Sequence, residues 1–216
     1  MKNLSVAVVD YDCGNLHSAS KALELAMKKS NLSGSVFLTK DPEKIINSDK
    51  VILPGVGAFK ACIEKLKNID GLEASIKEFA LKKQKPILGI CIGLQLMASK
   101  SYEGGEHQGL SLIDGDVVPI SLDKKNLKIP HMGWNNILQK KKHSLLEGLN
   151  DKDFYFVHSY RFKPKYNESV LASTWYGEDF PSVLSLGNII GTQFHQILFG
   201  GIGDTSCTKD AIGLNW

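Results

Sequence analysis

Cysteine is scarce in this chain of 216 residues. The four cysteines, Cys13, Cys62, Cys91 and Cys207, are too few and too far apart for a disulfide framework or a zinc knuckle. We therefore expect free thiols in a reducing compartment. We also expect that the protein needs no metal and no cofactor.

Long apolar runs and a strong net charge are also missing. No apolar stretch reaches the length of a membrane-spanning helix, and residues 1–9 lack the apolar region and cleavage site of a signal peptide. The formal net charge of +3 is too small to indicate nucleic-acid binding, and the lysines at 140–142 are typical of a solvated loop. The sequence predicts a cytoplasmic protein with neither a membrane nor a nucleic-acid partner.

Short apolar runs alternate with helical patterns in the first half of the chain. Strands are predicted at residues 4–9, 35–38, 50–53 and 86–88, and helices at residues 18–29, 58–67 and 72–83. Asp41 and Pro42 predict the N-cap and first residue of a further helix. Strands that alternate with helices favour a doubly wound, flavodoxin-like parallel sheet with three layers.

The second half has a different pattern, because little helix separates its apolar runs. Strands are predicted at residues 117–120, 127–129, 136–139, 154–158, 170–175, 182–186 and 188–193. Short connections indicate antiparallel or mixed additions on one flank of the parallel sheet. Residues 101–109 are polar and rich in glycine, which predicts a surface loop. No stretch has the composition of a linker, so residues 1–216 are predicted to form a single domain.

The most informative stretch lies at residues 86–95, PILGICIGLQ. Glycines two positions before and two after Cys91 permit a sharp turn from strand to helix, the layout of a nucleophile elbow. A thiol at a helix N-terminus is expected to favour the thiolate. A buried structural cysteine gives the same local pattern, so this stretch alone does not decide between the two.

A nucleophilic cysteine needs a base and donors for the oxyanion. His195 is the best base candidate because it follows a predicted strand and would lie at a sheet edge; a structural role stays open, as it does for His131 and His158. The oxyanion donors would come from the Ile92 N–H or from the turn at residues 54–57. That turn could also be an ordinary connection without chemistry.

Six segments together resemble the class I (triad) glutamine amidotransferases, and among these the glutaminase subunits of imidazole glycerol phosphate synthases. The matching segments are residues 10–16, 54–59, 89–95, 130–135, 155–160 and 191–195. The G-x-C-x-G and Q-F-H pieces occur in many amidotransferases, whereas H-M-G-W-N and F-V-H-S-Y are typical of this subunit. The resemblance covers about residues 4–195.

The resemblance implies that glutamine is hydrolysed to glutamate and ammonia through a thioester on Cys91, with His195 as base and later as acid. Ammonia would pass to a (β/α)8-barrel cyclase partner that makes imidazole glycerol phosphate on the histidine pathway. The implied oxyanion contacts are Val56 and Gly57. The implied glutamine-binding residues are Gly55, Gln95, His158, Ser159 and Tyr160. The implied partner interface consists of Asp10, Tyr11, Met132, Trp134 and Asn135, which could also be ordinary packing residues.

The chain departs from the family immediately after His195. The family has Pro-Glu there, and the glutamate orients the histidine; this chain has Gln196 and Ile197. An insertion, a shifted reading frame or a true divergence would each give this ending. We expect a weakened glutaminase, with Asp204 or Glu178 as candidate substitutes for the missing acid.

Three other functions stay open on the sequence. The chain could supply ammonia to a sugar-modifying synthase, or it could be a scaffold that keeps Cys91 without catalysis. An unrelated cysteine hydrolase on the same fold is hard to reconcile with the H-M-G-W-N and F-V-H-S-Y pieces.

Overall fold

An eight-stranded sheet organises the chain in the computed structural model, which describes residues 3–122 and 127–195. The strands are β1 (Leu4–Val9), β2 (Gly34–Thr39), β3 (Lys50–Gly55), β4 (Ile87–Cys91), β5 (Lys100–Ser101), β6 (His107–Gln108), β7 (Gly115–Pro119), β8 (His131–Asn136), β9 (Leu138–Gln139), β10 (Asp153–His158), β11 (Tyr160–Pro164), β12 (Val170–Tyr176), β13 (Glu178–Leu186) and β14 (Ile189–Thr192). The helices are α1 (Leu16–Lys29), α2 (Pro42–Asn47), α3 (Phe59–Lys67), α4 (Leu72–Lys77) and α5 (Ile92–Leu96). A π-helical turn, Glu78–Lys82, continues α4, and 3-10 turns lie at Ser144–Leu146 and Asn167–Ser169.

Local sequence explains where the first helices begin. The Asn15 side chain accepts a hydrogen bond from the Ser18 N–H and caps α1. Asp41 caps α2 in the same way through the Glu43 N–H, and Pro42 occupies the first turn. The predicted N-cap at Asp41 is therefore confirmed.

The main sheet has the strand order β2-β1-β3-β4-β14-β13-β12-β9. The pairs from β2 through β14 are parallel, whereas those from β14 to β9 are antiparallel. This arrangement confirms the predicted parallel sheet with antiparallel additions on one flank. Strands β3, β4 and β14 lie side by side at its centre, with Gly55 in register with Cys91 and Ile90 with Thr192. Their carboxyl ends therefore meet at one edge.

Two smaller sheets cover this edge. Strands β8 and β10 form an antiparallel pair, and β11, β7, β5 and β6 form a four-stranded sheet. One hydrophobic core lies under the parallel strands and their helices; a second one lies under the antiparallel flank and includes Phe154, Phe156, Phe180 and Phe194. The rings of the second core bury large apolar areas and so fix the β8–β10 pair against the antiparallel flank of the main sheet.

The structure corrects several predicted boundaries. Residues 127–129 do not form a strand, and the strand predicted at 136–139 is two elements, β8 and β9, which meet at a break after Asn136. Strand β11 and the short strands β5 and β6 were not predicted, because two-residue strands carry no periodic pattern and β11 is rich in polar residues.

Within residues 3–122 and 127–195, no helix is long and apolar enough to cross a membrane. The same residues contain no cluster of three His, Cys, Asp or Glu side chains that could hold a metal ion.

Candidate active site

Cys91 stands at the junction of β4 and α5 in a strained backbone conformation. Its φ of 55° and ψ of −108° lie in a region that side-chain-bearing residues rarely adopt. A Cβ at Gly93 would lie 1.7 Å from the Leu53 carbonyl oxygen, and one at Gly89 would lie 2.7 Å from the Leu94 nitrogen. Both glycines are therefore required by the close approach of neighbouring backbone, as the elbow prediction assumed.

The Cys91 thiol is 2% exposed, and burial raises its pKa to about 12. The Ile92 N–H and the Gln193 side chain act in the opposite direction, with Gln193 Nε2 lying 3.9 Å from Sγ. The predicted preference of Cys91 for the thiolate is wrong in the protein without substrate, because desolvation raises the thiol pKa more than these two donors lower it. The thiol is therefore protonated at neutral pH and needs a base.

His195, the predicted base, lies at the same sheet edge. It follows β14, and its backbone N–H donates to the Tyr155 carbonyl oxygen over 2.9 Å, which ties it to β10. Burial lowers the pKa of its imidazole, so the ring is neutral and able to accept a proton at neutral pH.

An acidic partner for His195 does not occur among residues 3–122 and 127–195. Glu178, one of the two predicted substitutes, instead holds the Arg161 guanidinium through two hydrogen bonds of 2.7 and 2.6 Å and accepts the Ser121 N–H. The suggestion that Glu178 replaces the family glutamate is therefore wrong, since both its oxygens are occupied by another pair. Gln196, Ile197 and Asp204 lie outside the described residues.

The predicted oxyanion turn leaves β3 directly beside the elbow. A Cβ at Gly55 would lie within 3 Å of the Ile92 Cβ and the Tyr11 hydroxyl, so only glycine fits there. Gly57 adopts a φ of +112°, which also favours glycine. The Cys62 thiol donates to the Val56 carbonyl oxygen over 3.5 Å and holds this turn from α3.

A wall of the site is formed where β10 passes into β11, at residues 158–160. The Tyr160 carbonyl oxygen accepts hydrogen bonds from His158 Nδ1 at 2.9 Å and from Gln95 Nε2 at 3.0 Å. Gln95 Nε2 also donates to Gln193 Oε1 at 3.1 Å. Gln95 Oε1 is buried and has no hydrogen-bond partner in the described part of the chain.

These groups surround one cavity of about 290 Å³. It is lined by Val56, Gly57, Cys91, Ile92, Gln95, Glu103, Pro130, Val157, His158, Ser159, Tyr160 and His195. The structure thus brings together nine of the ten residues predicted for catalysis, oxyanion stabilisation and glutamine binding. Gly55, the tenth, lines an adjoining cavity of about 310 Å³ that His195 also borders.

Sequence reasoning missed two polar side chains of the site. Glu103 lines the cavity, and its Oε2 accepts the Phe59 N–H over 2.8 Å; the segment around it was predicted as a surface loop because it is polar and rich in glycine. Gln193 lies in the quoted Q-F-H piece but was given no role. The signal available for Glu103 was a carboxylate just after the elbow helix, where the chain is still near the sheet edge.

The residues predicted for a partner interface differ in their exposure to solvent. Met132 and Trp134, on one face of β8, are 60% and 54% exposed. Asn135 projects from the opposite face and donates to the Trp175 carbonyl oxygen. Asp10 is partly buried, and Tyr11 is 0% exposed, since its hydroxyl donates to the Pro54 carbonyl oxygen beneath the oxyanion turn. Placing Tyr11 on a surface is therefore wrong; it supports the site from inside.

Known proteins resemble this chain over most of its length. The sequence model of the family described as glutamine amidotransferase class-I matches residues 9–196. The imidazole glycerol phosphate synthase subunit HisH of Carboxydothermus hydrogenoformans is 48% identical over 197 residues, which cover 91% of this chain and 93% of that protein. HisH of Rhodospirillum rubrum is 44% identical over 194 residues, covering 89% and 91%.

Solved structures show the same fold at low identity. A crystal structure of a glutamine amidotransferase aligns with a TM-score of 0.64 and 17% identity over 88% of this chain and 89% of the other. A glutamine amidotransferase from Thermotoga maritima aligns with a TM-score of 0.59 and 18% identity over 90% of this chain and 76% of the other. With the family match over most of its length and these relatives, the chain belongs to the class I glutamine amidotransferase family.

Proposed function

We propose that this protein is the glutaminase subunit of an imidazole glycerol phosphate synthase, acting in histidine biosynthesis in the cytoplasm. One observation carries the glutaminase part: a single cavity is lined by a thiol on a strained elbow, a neutral imidazole, the glycine turn after β3 and the wall at residues 158–160. Its volume of about 290 Å³ suits a small metabolite. We further propose that residues 1–216 act as one domain.

The chemistry follows from the protonation states of the two catalytic residues. His195 takes the proton of the Cys91 thiol as the sulfur attacks the glutamine amide carbon, because the thiol is protonated and the imidazole neutral. The protonated imidazole then gives that proton to the departing ammonia. Water, deprotonated by His195, hydrolyses the thioester to glutamate and restores the thiol.

Charge that develops on the amide oxygen needs donors at the elbow. The backbone N–H groups of Ile92 and of the turn at Val56 and Gly57 are the candidates, since these residues line the cavity beside Cys91. The Ile92 N–H is already directed toward the sulfur in the free protein, where it lowers the thiol pKa. Backbone donors held by packed strands need little reorganisation during the reaction.

Glutamine carries an ammonium and a carboxylate that must be recognised. Glu103 is suited to the ammonium group, because its carboxylate lines the cavity and bears the opposite charge. The backbone of residues 158–160, together with Gly55, would complete the contacts.

The missing acid predicts a lower rate without abolishing activity. Loss of the third member of a serine-protease triad costs about 10⁴ in rate. A cysteine nucleophile depends less on that member, because a thiol ionises more readily than a hydroxyl. We therefore propose that His195 acts as the base at reduced turnover, without a carboxylate partner from residues 3–122 and 127–195.

The partner part of the proposal rests on the relatives and on the exposed face of β8. HisH relatives of 40–48% identity carry the name of an imidazole glycerol phosphate synthase subunit, which supports a cyclase partner. Met132 and Trp134 present a large apolar surface next to the site, as an interface requires. We propose that a barrel-shaped cyclase binds here, in a heterodimer, and receives the ammonia. These relatives do not favour a sugar-modifying synthase.

The test is glutamate release from glutamine by the purified chain, measured with and without the cyclase and its ribulosyl ligand. We expect release that requires the partner and disappears in Cys91→Ala. Labelling of Cys91 by a glutamine-analogue electrophile gives a second measure of nucleophilicity. Intact partner binding without release or labelling would instead identify a scaffold subunit.

The double substitution Gln196→Pro with Ile197→Glu tests the missing acid separately. If the absent glutamate limits turnover, kcat rises in this variant while KM for glutamine changes little. Unchanged kcat would show that the acid is not the limiting group.

A further inference from the structure

Two buried histidines form a pair behind the wall of the cavity. His131 Nδ1 lies 3.0 Å from His158 Nε2, and both rings are almost completely buried. His158 lines the cavity, whereas His131 is not among its lining residues. The mechanism proposed above gives His131 no task, although burying two ring nitrogens carries a desolvation cost.

The neighbours of the pair fix the position of every ring proton. At one end His158 Nδ1 faces the Tyr160 carbonyl oxygen at 2.9 Å, so this nitrogen must carry a proton. Its Nε2 is then an acceptor in the neutral ring, and His131 Nδ1 must donate to it. His131 Nε2 is consequently an acceptor.

The other end of the pair gives the same assignment independently. The Asn135 amide accepts the Asn136 N–H through Oδ1 and donates to the Trp175 carbonyl oxygen through Nδ2, so its orientation is fixed. Asn135 Nδ2 also lies 3.3 Å from His131 Nε2, where it meets an acceptor. Both rings are therefore neutral and in single tautomers. Burial lowers the pKa of His131 to about 4 and that of His158 to about 3, in agreement.

Stacking alone does not require a histidine at position 131. The ring lies between Phe156 and Tyr176, with centroid distances of 4.8 and 4.0 Å and interplanar angles near 20°. A phenyl ring would stack on the same neighbours without desolvating two nitrogens. The property that a phenyl ring lacks is the N–H that His131 gives to His158.

The hydrogen bonds continue from His158 to the nucleophile. The Tyr160 carbonyl oxygen that accepts His158 Nδ1–H also accepts Gln95 Nε2, which in turn donates to Gln193 Oε1. Gln193 Nε2 lies 3.9 Å from Cys91 Sγ. A continuous path thus joins Asn135 on β8 to the sulfur.

We propose that His131 is a positioning residue for glutamine: its N–H holds the His158 ring in place and so fixes the wall that binds the substrate. This inference rests on the proposed glutaminase function. Without the His131 donor, His158 Nε2 would lose its hydrogen-bond partner while staying buried. The ring would then move or admit water to satisfy this nitrogen, and the wall would shift with it.

The experiment compares His131→Phe, which retains the stacked ring, with His131→Asn, which returns an amide N–H near the position of Nδ1. We expect kcat/KM for glutamine to fall about 100-fold in His131→Phe, mainly through KM, because small displacements of positioning groups cost this much. His131→Asn should recover most of the loss. His17→Phe, at an exposed position on α1, is the matched control and should behave as the wild type.

Nitrogen-15 spectra of the imidazole rings report the tautomer without requiring activity. In the wild type His158 should be protonated on Nδ1 alone with its Nε2 hydrogen-bonded, and in His131→Phe the Nε2 resonance should shift to that of a nitrogen that has lost this hydrogen bond. A wild-type His158 protonated on Nε2 would overturn the proposal, even if His131→Phe failed to fold. So would a His131→Phe variant with unchanged KM and spectrum, or equal losses in the Phe and Asn variants.

The two failures remain distinguishable. If the wild-type protein released no glutamate, the glutaminase proposal would fail. The dissociation constant of glutamine for Cys91→Ala, measured with and without His131→Phe, would still decide whether His131 positions the substrate. Equal constants in these two proteins would overturn the inference.

Discussion

The two halves of the site are held in place by different kinds of contact. On the parallel-sheet side, Cys91 and the oxyanion turn are held by backbone packed against backbone, with glycines at the contacts. On the side of the smaller sheets, where β10 passes into β11, the wall at residues 158–160 is held by side-chain hydrogen bonds. These bonds run through buried histidines and amides. The first half allows almost no change in volume, whereas the second should respond in graded steps to each lost hydrogen bond.

The largest expected effect tests the backbone half. Gly93→Ala places a Cβ 1.7 Å from the Leu53 carbonyl oxygen, so β3 and α5 must separate. We expect a loss of about 3 kcal/mol or more in the free energy of unfolding, or no folded protein. Urea denaturation measures this.

Gly57→Ala is its matched control, because no atom lies within 4 Å of the added Cβ and the cost comes from the φ of +112° alone. About 1–2 kcal/mol is expected for that strain. Equal losses in the two variants would contradict the comparison between crowded and open glycines.

Substrate recognition gives the next effect. Glu103→Gln keeps the oxygen that accepts the Phe59 N–H but removes the charge facing the cavity. A hydrogen bond to a charged group contributes about 1.5–3 kcal/mol, so KM for glutamine should rise about ten- to hundredfold with little change in stability. Steady-state kinetics together with a melting curve check this. An unchanged KM would remove Glu103 from the binding site.

The pair of His131 and His158 makes the free energy of unfolding depend on pH. Burial lowers the pKa of His131 to about 4 and that of His158 to about 3, from an ordinary value of 6.5. Between these values and 6.5 the unfolded chain binds protons that the folded protein excludes. The free energy of unfolding should therefore fall as the pH drops through this window, by up to about 1.4 kcal/mol per pH unit for each histidine.

Denaturation at several pH values should show this fall, and His131→Phe should reduce its slope. Above pH 6.5 neither histidine contributes to the slope. Identical slopes for the wild type and the variant would mean that His131 is not kept neutral by the fold.

The smallest expected effect on activity comes from Glu178. Glu178→Gln breaks the partly buried pair with Arg161 and should lower the free energy of unfolding by about 1–3 kcal/mol. Glutaminase kcat should stay unchanged, because both oxygens of this carboxylate are engaged by Arg161 and the Ser121 N–H rather than by His195. A large fall in kcat without a matching loss of stability would restore Glu178 as the substitute acid.

Prediction from the sequence worked best where local pattern and tertiary contact agree. The apolar strands at residues 4–9 and 50–53 and the G-x-C-x-G turn fix a parallel sheet and its elbow, because few other structures bury such runs and accommodate such glycines. It failed at residues 127–129, where two apolar residues flank Lys128 but no strand of the described structure pairs with them. It failed for β11 because that strand gains its partners only from the distant β7.

Burial separates the remaining successes from the failures. The sequence identified Tyr11 and the cavity residues as important, but whether a side chain faces solvent, core or ligand depends on elements far along the chain. Tyr11 was predicted at a surface but lies in the core, and Glu103 was predicted in a surface loop but lines the cavity. The expected thiolate is another case, since desolvation of Cys91 is produced by strands that surround it.

By itself the sequence determined the sheet class, the elbow with Cys91 at its apex and the family, because these depend on short motifs and on apolar periodicity; it also predicted His195 as the base. Only the tertiary structure decided the protonation of Cys91, the place of Glu103 and the path from His131 to the sulfur. Each of these depends on contacts between residues tens of positions apart, such as His131 with His158 and Gln95 with Gln193. A short sequence pattern does not determine which distant residues come into contact, whereas the packing of the strands and helices does.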